Sequence, residues 1–393
     1  MPVRWLPRGR DARTTQSAAP PDRVAVEPAI AYTLKSVAVN LAVRTLLSPL
    51  ALLYGAAVRV RNAHYDRLPQ PAPVDVPVIS VGNLTVGGSG KTPIVIEIVR
   101  WLHELGRRPA ILTRGYGATR GQTADEVLEF AEALPEVPVV VDPDRVAGAR
   151  RAVREHGVDC LVLDDGFQHR RLPRTLDIVV IDALEPWGGG WLLPVGRLRE
   201  PLSGLARADL FIIARCNQVA QDAVLRIEET LTRHNPDAPI AFASVVADGV
   251  RFADCESRPP EELGYWCVLP VCGLGNPATF LQLIEPLAGR VCAPLTFGDH
   301  HRYRAGDVRR IQAAARARGA DLVLTTRKDW VKLTPLWCGG ESTAVDADRE
   351  SKPPTLARLD VRLEIDDPEG GLEAALVECA ASAPRSGINA PLA

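Results

Sequence analysis

The chain has 393 residues, 46% of them hydrophobic and 24% charged, a globular balance with enough length for two domains. A formal net charge of −2 supplies no bulk basic field, which argues against nucleic acid as a partner. The eight cysteines form no C-x-x-C pair and mostly sit in apolar runs, so they read as small buried hydrophobes in a reducing compartment, not as a zinc site.

The charge is unevenly placed. Arg4, Arg8, Arg10, Arg13, Arg23, Lys35, Arg44, Arg59, Arg61 and Arg67 outnumber Asp11, Asp22, Glu27 and Asp66, so the N-terminal region is expected to meet an anionic surface. Residues 1–30 lack the apolar core of a secretory signal and read as a disordered tail. Residues 31–68 are expected to be a membrane-associated helical segment. Lys35, Asn40, Arg44 and Pro49 interrupt its apolar run, so the roughly 18 unbroken apolar residues of a spanning helix are absent. Two interfacial helices broken near Pro49 fit this pattern, with a helix packed on the protein's own core as the alternative. Pro69, Pro71, Pro73 and Pro77 then mark a linker.

From residue 69 to 245 the pattern is strand–helix alternation. Val76–Val81, Pro109–Thr113, Val137–Val141, Val158–Leu163, Leu176–Ile181 and Leu210–Ala214 are continuous apolar runs, and Thr92–Leu105 is helical. Such strands predict a parallel sheet covered on both faces, an α/β core. A second, smaller α/β unit is expected over residues 246–393. Its strands are Cys267–Cys272, Val291–Phe297 and Leu322–Thr325, and its helices Pro277–Leu287 and Ala305–Arg318.

Gly82 through Thr92, GNLTVGGSGKT, lies between a predicted strand and a predicted helix, the context of a Walker A loop. Gly87, Gly88, Ser89, Gly90, Lys91 and Thr92 are the nucleotide-binding candidates. Lys91 is expected to reach the β- and γ-phosphates, and the Thr92 hydroxyl to face Mg²⁺. The first glycine of the motif is due at position 85, where Thr85 stands; Gly87 and Gly88 are the substitutes for its turn. Downstream, the strand ending in Asp164 and Asp165 places two carboxylates where a Walker B acid holds Mg²⁺. Gly166, Phe167, Gln168, His169 and Arg170 follow directly. Asp182 ends the next strand in a similar way and reads as structural.

These blocks, together with Thr113-Arg114-Gly115-Tyr116-Gly117, Leu193 through Glu200, Asp299-His300-His301-Arg302-Tyr303 and Thr326-Arg327-Lys328-Asp329, resemble the tetraacyldisaccharide 4′-kinases of lipid A biosynthesis. The resemblance runs from about residue 45 to about residue 350, and Thr85 is itself a feature of that family. It implies a P-loop NTPase-like domain with a smaller second domain and N-terminal membrane-associated helices. It implies ATP and Mg²⁺ as cofactors, and transfer of a phosphoryl group to the 4′-hydroxyl of a tetraacylated glucosamine disaccharide 1-phosphate. The expected location is the cytoplasmic face of a bacterial inner membrane. By the same resemblance Asp125 pairs with His300 to accept the hydroxyl proton, beside Glu126. Ala118–Ala124 is short for the family, and Ala124 replaces the usual glycine before the Asp-Glu pair. Arg145, Gln168, His169, Arg199 and Glu200 become substrate-side candidates. The alternative for Arg145 is a surface salt bridge, and for Asp329 a capped helix start. A different class, a P-loop switch or partitioning ATPase acting through protein partners at a membrane, shares the Walker loop but not the Asp-His-His and Asp-Asp-Gly-Phe-Gln-His-Arg blocks.

Overall fold

The computed structural model describes residues 41–68, 74–87, 90–115, 125–253, 256–274, 276–298, 301–338 and 354–382. The expected tail over residues 1–30 and the first part of the membrane segment lie outside them.

In chain order, helix α1 (Leu41–Arg67) leads to β1 (Val78–Gly82), α2 (Lys91–Glu104), β2 (Pro109–Thr113), α3 (Asp125–Ala133), β3 (Val139–Val141), α4 (Arg145–His156), β4 (Cys160–Asp164), β5 (Leu176–Asp182), β6 (Leu210–Ala214) and α5 (Gln221–His234). Then come β7 (Ile240–Phe252), β8 (Ser257–Arg258), β9 (Cys267–Cys272), α6 (Pro277–Ile284), β10 (Arg290–Val291), β11 (Leu295–Thr296), α7 (Ala305–Arg318), β12 (Leu322–Thr326), α8 (Arg327–Cys338), β13 (Thr355–Asp366) and α9 (Gly371–Ser382).

Among the described residues all the strands join one 13-stranded sheet, whose main path is β10-β9-β12-β13-β7-β6-β5-β1-β4-β2-β3. β1, β2, β4 and β6 are buried along their whole length, which requires helices on both faces. On one face Ile94, Val95, Ile98, Val99 and Leu102 of α2 form a helical stripe over Ile79 and Val81. On the other, Ala149 and Ala152 of α4 lie against Val78 and Leu161, and Phe167, Phe211 and Leu231 form a further cluster.

The two parallel regions meet in an antiparallel ribbon of β7 and β13, paired from Ala357↔Phe252 to Asp366↔Phe242. β6 pairs with Ile240–Ala243 of β7, and β12 pairs with Thr355–Leu359 of β13. Residue 246 falls between these, where β7 has only β13 beside it. After crossing, the chain places Leu372, Leu376 and Cys379 of α9 in the same core as α2.

Two expectations are corrected. No break occurs at Pro49: α1 runs through it as one helix. The proline ring points outward, while Ala51 and Val58 are buried on the opposite face and hold the helix past the missing N–H. The run Val291–Phe297 is not one strand but two short pieces, β10 and β11, each paired with β9. Pro294 between them has no N–H to give the ladder.

Gly82, at the end of β1, is where the fold bears most tightly on the site. A Cβ there would stand 2.5 Å from Phe167 Cβ and 2.6 Å from the Phe167 nitrogen. Gly82→Ala is therefore expected to cost about 1–3 kcal/mol, as overpacking does. Urea unfolding should show a lower midpoint at unchanged slope; an unchanged midpoint would mean that the β1–Phe167 contact is looser than described.

Candidate active site

Sheet topology brings the carboxyl ends of β1 and β4 side by side, with Val81 opposite Asp164. The loop after β1 carries Lys91 as the first residue of α2, and Gly90 caps that helix in the left-handed region at φ 74°. Gly87 has φ 117°, so among the described residues of the loop the positive angles fall on Gly87 and Gly90 and not on position 85. Thr85 instead forms an antiparallel bridge with Leu198. The Val86 N–H donates to the Arg197 carbonyl at 2.8 Å, and the Arg199 N–H to the Leu84 carbonyl at 2.8 Å. The first half of the loop is thus joined to the Leu193–Glu200 block as extended backbone, which a threonine adopts readily. Gly88 and Ser89 lie outside the described residues.

Lys91 Nζ donates to Asn83 Oδ1 at 2.9 Å and pairs with Asp165 Oδ1 at 3.3 Å. Asn83 is itself buried and donates to the Thr85 carbonyl and hydroxyl. The two neighbouring carboxylates differ sharply. Asp164 ends β4, is 3% exposed and accepts from Thr113 Oγ1 at 3.3 Å. Burial, then the charge of Glu126, pushes its carboxyl up to about 7. Asp165 turns away at φ 56°. Burial pushes its carboxyl up too, but Lys91 and Arg199 outweigh that and hold it below the usual range. Its Arg199 Nη1 contact is 2.7 Å.

Arg199 Nη1 also donates to Gln168 Oε1 at 3.1 Å. Gln168 Nε2 donates to the Asn83 carbonyl at 2.8 Å and to Glu200 Oε1 at 3.0 Å. Glu200 has no exposure to water and accepts from Arg207 at 2.8 Å and Asn62 at 3.2 Å. Asn62 belongs to α1, as does Tyr54, whose hydroxyl donates to the Arg199 carbonyl at 2.8 Å. Arg170 donates to the Asn62 carbonyl and pairs with Asp66. The N-terminal helix is therefore tied directly into the site.

The structure brings together Lys91, Asp164, Asp165, Gln168, Arg199 and Glu200, with Gly87, Gly90 and Thr92 on the loop and helix above them. Glu126 is close enough to raise Asp164. Asp125 opens α3, but its side chain and the whole of His300 lie outside the described residues, as does any contact between them. Arg145 is not a surface residue: it opens α4 at 3% exposure and donates to the carbonyls of Asp142 (2.9 Å) and Asp164 (3.3 Å). Asp329 is buried and accepts from the Gly273 N–H at 2.8 Å and Thr326 Oγ1 at 3.0 Å, so it anchors a helix start. Asp182 pairs with Arg215, as its structural reading expects. Tyr54, Asn62, Asn83, Thr113 and Arg207 were given no role from sequence. Asn83, one residue beyond β1 inside the glycine loop, and Thr113, at the end of β2 and the head of a recognised block, had a local signal.

A parallel sheet with a lysine loop after β1 and an acid pair after the adjacent β4 defines a P-loop nucleotide-binding enzyme. The family described as tetraacyldisaccharide-1-P 4′-kinase matches residues 43–378, and the chain belongs to that family. It is 38% identical to the tetraacyldisaccharide 4′-kinase of Halothermothrix orenii over 74% of this chain and 83% of that one. It is 40% identical to the corresponding protein of Anaeromyxobacter dehalogenans strain 2CP-C, over 72% of this chain and 79% of the relative. Its fold matches the "apo" form of LpxK from Aquifex aeolicus in complex with ATP, with a TM-score of 0.61 and 27% identity over 86% of this chain and 99% of that one. These relationships do not favour the switch ATPase.

His169 offers a pH test of the site's electrostatics. Burial, then Arg145, Arg174 and Arg171, push its imidazole down to about 4. The unfolded chain takes a proton there near pH 6.5 that the native protein refuses. Its contribution to stability is full above about pH 6.5 and is lost as pH falls toward about 4. His169→Gln should therefore show a smaller fall in Tm than wild type between pH 7 and 4.5; matching pH profiles would refute the buried neutral imidazole.

Proposed function

We propose that this protein transfers the γ-phosphoryl group of ATP to the 4′-hydroxyl of a tetraacylated glucosamine disaccharide 1-phosphate, at the cytoplasmic face of a bacterial inner membrane. The observation that carries the reading is the convergence of Lys91, Asp164 and Asp165 in a network that α1 completes through Asn62 and Tyr54.

The groups present suit a magnesium nucleotide. Backbone with positive φ at Gly87 and Gly90 and the start of α2 offer N–H groups to phosphate. Asp164 is a buried carboxylate whose ionised form needs a positive partner. Thr92, Asp164 and Asp165 are the residues that would hold Mg²⁺, which when bound neutralises phosphate charge. Lys91, held at 2.9 Å by Asn83, is the residue that would neutralise charge on the transferred group. Asp125 accepts the proton of the attacking hydroxyl, and His300 orients it. Glu126, Gln168, His169 and Arg199 line the acceptor side, while the buried Arg145 and Glu200 stand behind them as supports. The units expected over residues 69–245 and 246–393 act with the acceptor between them and water excluded on closure, α9 of the second belonging to the core of the first.

The membrane part of the proposal rests on α1. With Ala51, Val58 and Asn62 facing the protein, Leu46, Leu50, Leu53 and Val60 point the opposite way and are 77%, 52%, 67% and 71% exposed. Arg59 and Arg61 flank that face. No described helix is long and apolar enough to cross a membrane. An apolar stripe with basic flanks suits a helix lying in the head-group layer.

The decisive assay incubates the protein with Mg²⁺, γ-labelled ATP and a tetraacyldisaccharide 1-phosphate in mixed micelles. A labelled lipid is expected from wild type. Asp125→Ala should lose on the order of 10²–10⁴ in kcat, the contribution of a general base. ATP hydrolysis without labelled lipid would overturn the kinase reading. In vesicle co-sedimentation, replacing Leu46, Leu50 and Leu53 together by Ser should weaken binding to anionic vesicles by roughly tenfold or more, from the apolar area lost; undiminished binding would move the contact away from α1.

A further inference from the structure

The Thr-Arg-Lys-Asp block has no task in the mechanism above, and Asp329 explains only its last residue. Arg327, the first residue of α8, reaches back 195 positions to Glu132 on α3. Its Nη2 stands 2.6 Å from Glu132 Oε1 and its Nε 3.2 Å from the same oxygen. Glu126, Glu129 and Glu132 recur every third residue along one side of α3. The charges of Arg327 and Lys328 both act on Glu129, and the charge of Glu126 acts on Asp164. One acidic stripe thus runs from the acid pair of the site to the start of α8.

The two ends of this contact are unequally held. The start of α8 is fixed, because Asp329 accepts from both the Gly273 N–H and Thr326 Oγ1. α3 is only nine residues long, and Phe130 is its fully buried anchor. Elsewhere the two halves of the sheet are joined by the β7–β13 ribbon, which about residue 246 is two strands wide. An ion pair across α3 and α8 gives the halves a second point of attachment.

We propose that Arg327 and Glu132 form a latch that sets the register of α3, and with it Asp125 and Glu126, against the start of α8. They are positioning residues. Both side chains are about half exposed, so the pair adds little to global stability and acts through geometry. The catalytic consequence rests on the kinase reading; the latch itself does not.

The test uses the full-length protein and the variants Arg327→Ala, Glu132→Ala and the charge exchange Arg327→Glu/Glu132→Arg. Hydrogen exchange over residues 125–133 should quicken in both single variants and return toward wild type in the exchange, while residues 160–164 stay unchanged. In the lipid assay each single variant should lose on the order of tenfold to a hundredfold in kcat, the scale of a small misplacement. KM for ATP should hold, and the exchange should recover most of the loss. Unaltered exchange in α3 on removing Arg327, or a charge exchange as slow as the single variants, overturns the latch. If wild type labels no lipid, the kinase reading fails, and the hydrogen-exchange arm still decides the latch.

Discussion

A carboxylate cut off from water must find its counter-charge inside the protein, and Glu200 imposes that condition on three separate segments. Arg207 supplies the charge, Gln168 and Asn62 the remaining hydrogen bonds. Left unpaired, a buried ion of this kind is strongly destabilising. Meeting its needs fixes the segment after the acid pair, the Leu193–Glu200 block and α1 relative to one another. Since that block also bridges Thr85, the nucleotide loop inherits its shape from the same constraint.

The acid pair shows how one dipeptide can carry two roles. Asp164 remains in line with β4, buried, and accepts a hydrogen bond from the Thr113 hydroxyl. Asp165 adopts a left-handed backbone that swings it toward Lys91 and Arg199. The pair's character follows from this divergence: burial dominates at Asp164, and ion pairs with Lys91 and Arg199 dominate at Asp165.

Much of the sheet was legible because its strands are continuous apolar runs: Pro109–Thr113, Leu210–Ala214 and Cys267–Cys272 have the bounds read from sequence. β7 and β13 were not read, because a ribbon half open to solvent mixes Ala, Asp, Gly and Arg into its pattern and loses the apolar continuity. Pro49 misled for a local reason, since a proline's cost depends on what holds the helix around it. In the site, Lys91, Asp164 and Asp165 were found because each sits next to a strand end, where position implies role. Asn62 and Tyr54 were invisible because their partners are 138 and 145 residues away, and no local pattern encodes such a pairing. Arg145 was recognised as important but given a looser setting than the buried one it occupies.

The path of the last strand bears on how the chain is made. β13 completes the sheet of both halves, and α9 then joins the core that α2 occupies. Folding along a growing chain proceeds from the N-terminus, yet here the nucleotide-binding half waits for residues near position 380 before its core is closed. Through most of synthesis the core that α2 shares with α9 is unfinished, and one edge of β12 lacks its partner. The protein is therefore one whose first half matures last, and its dependence on chaperones should be greatest until β13 and α9 emerge.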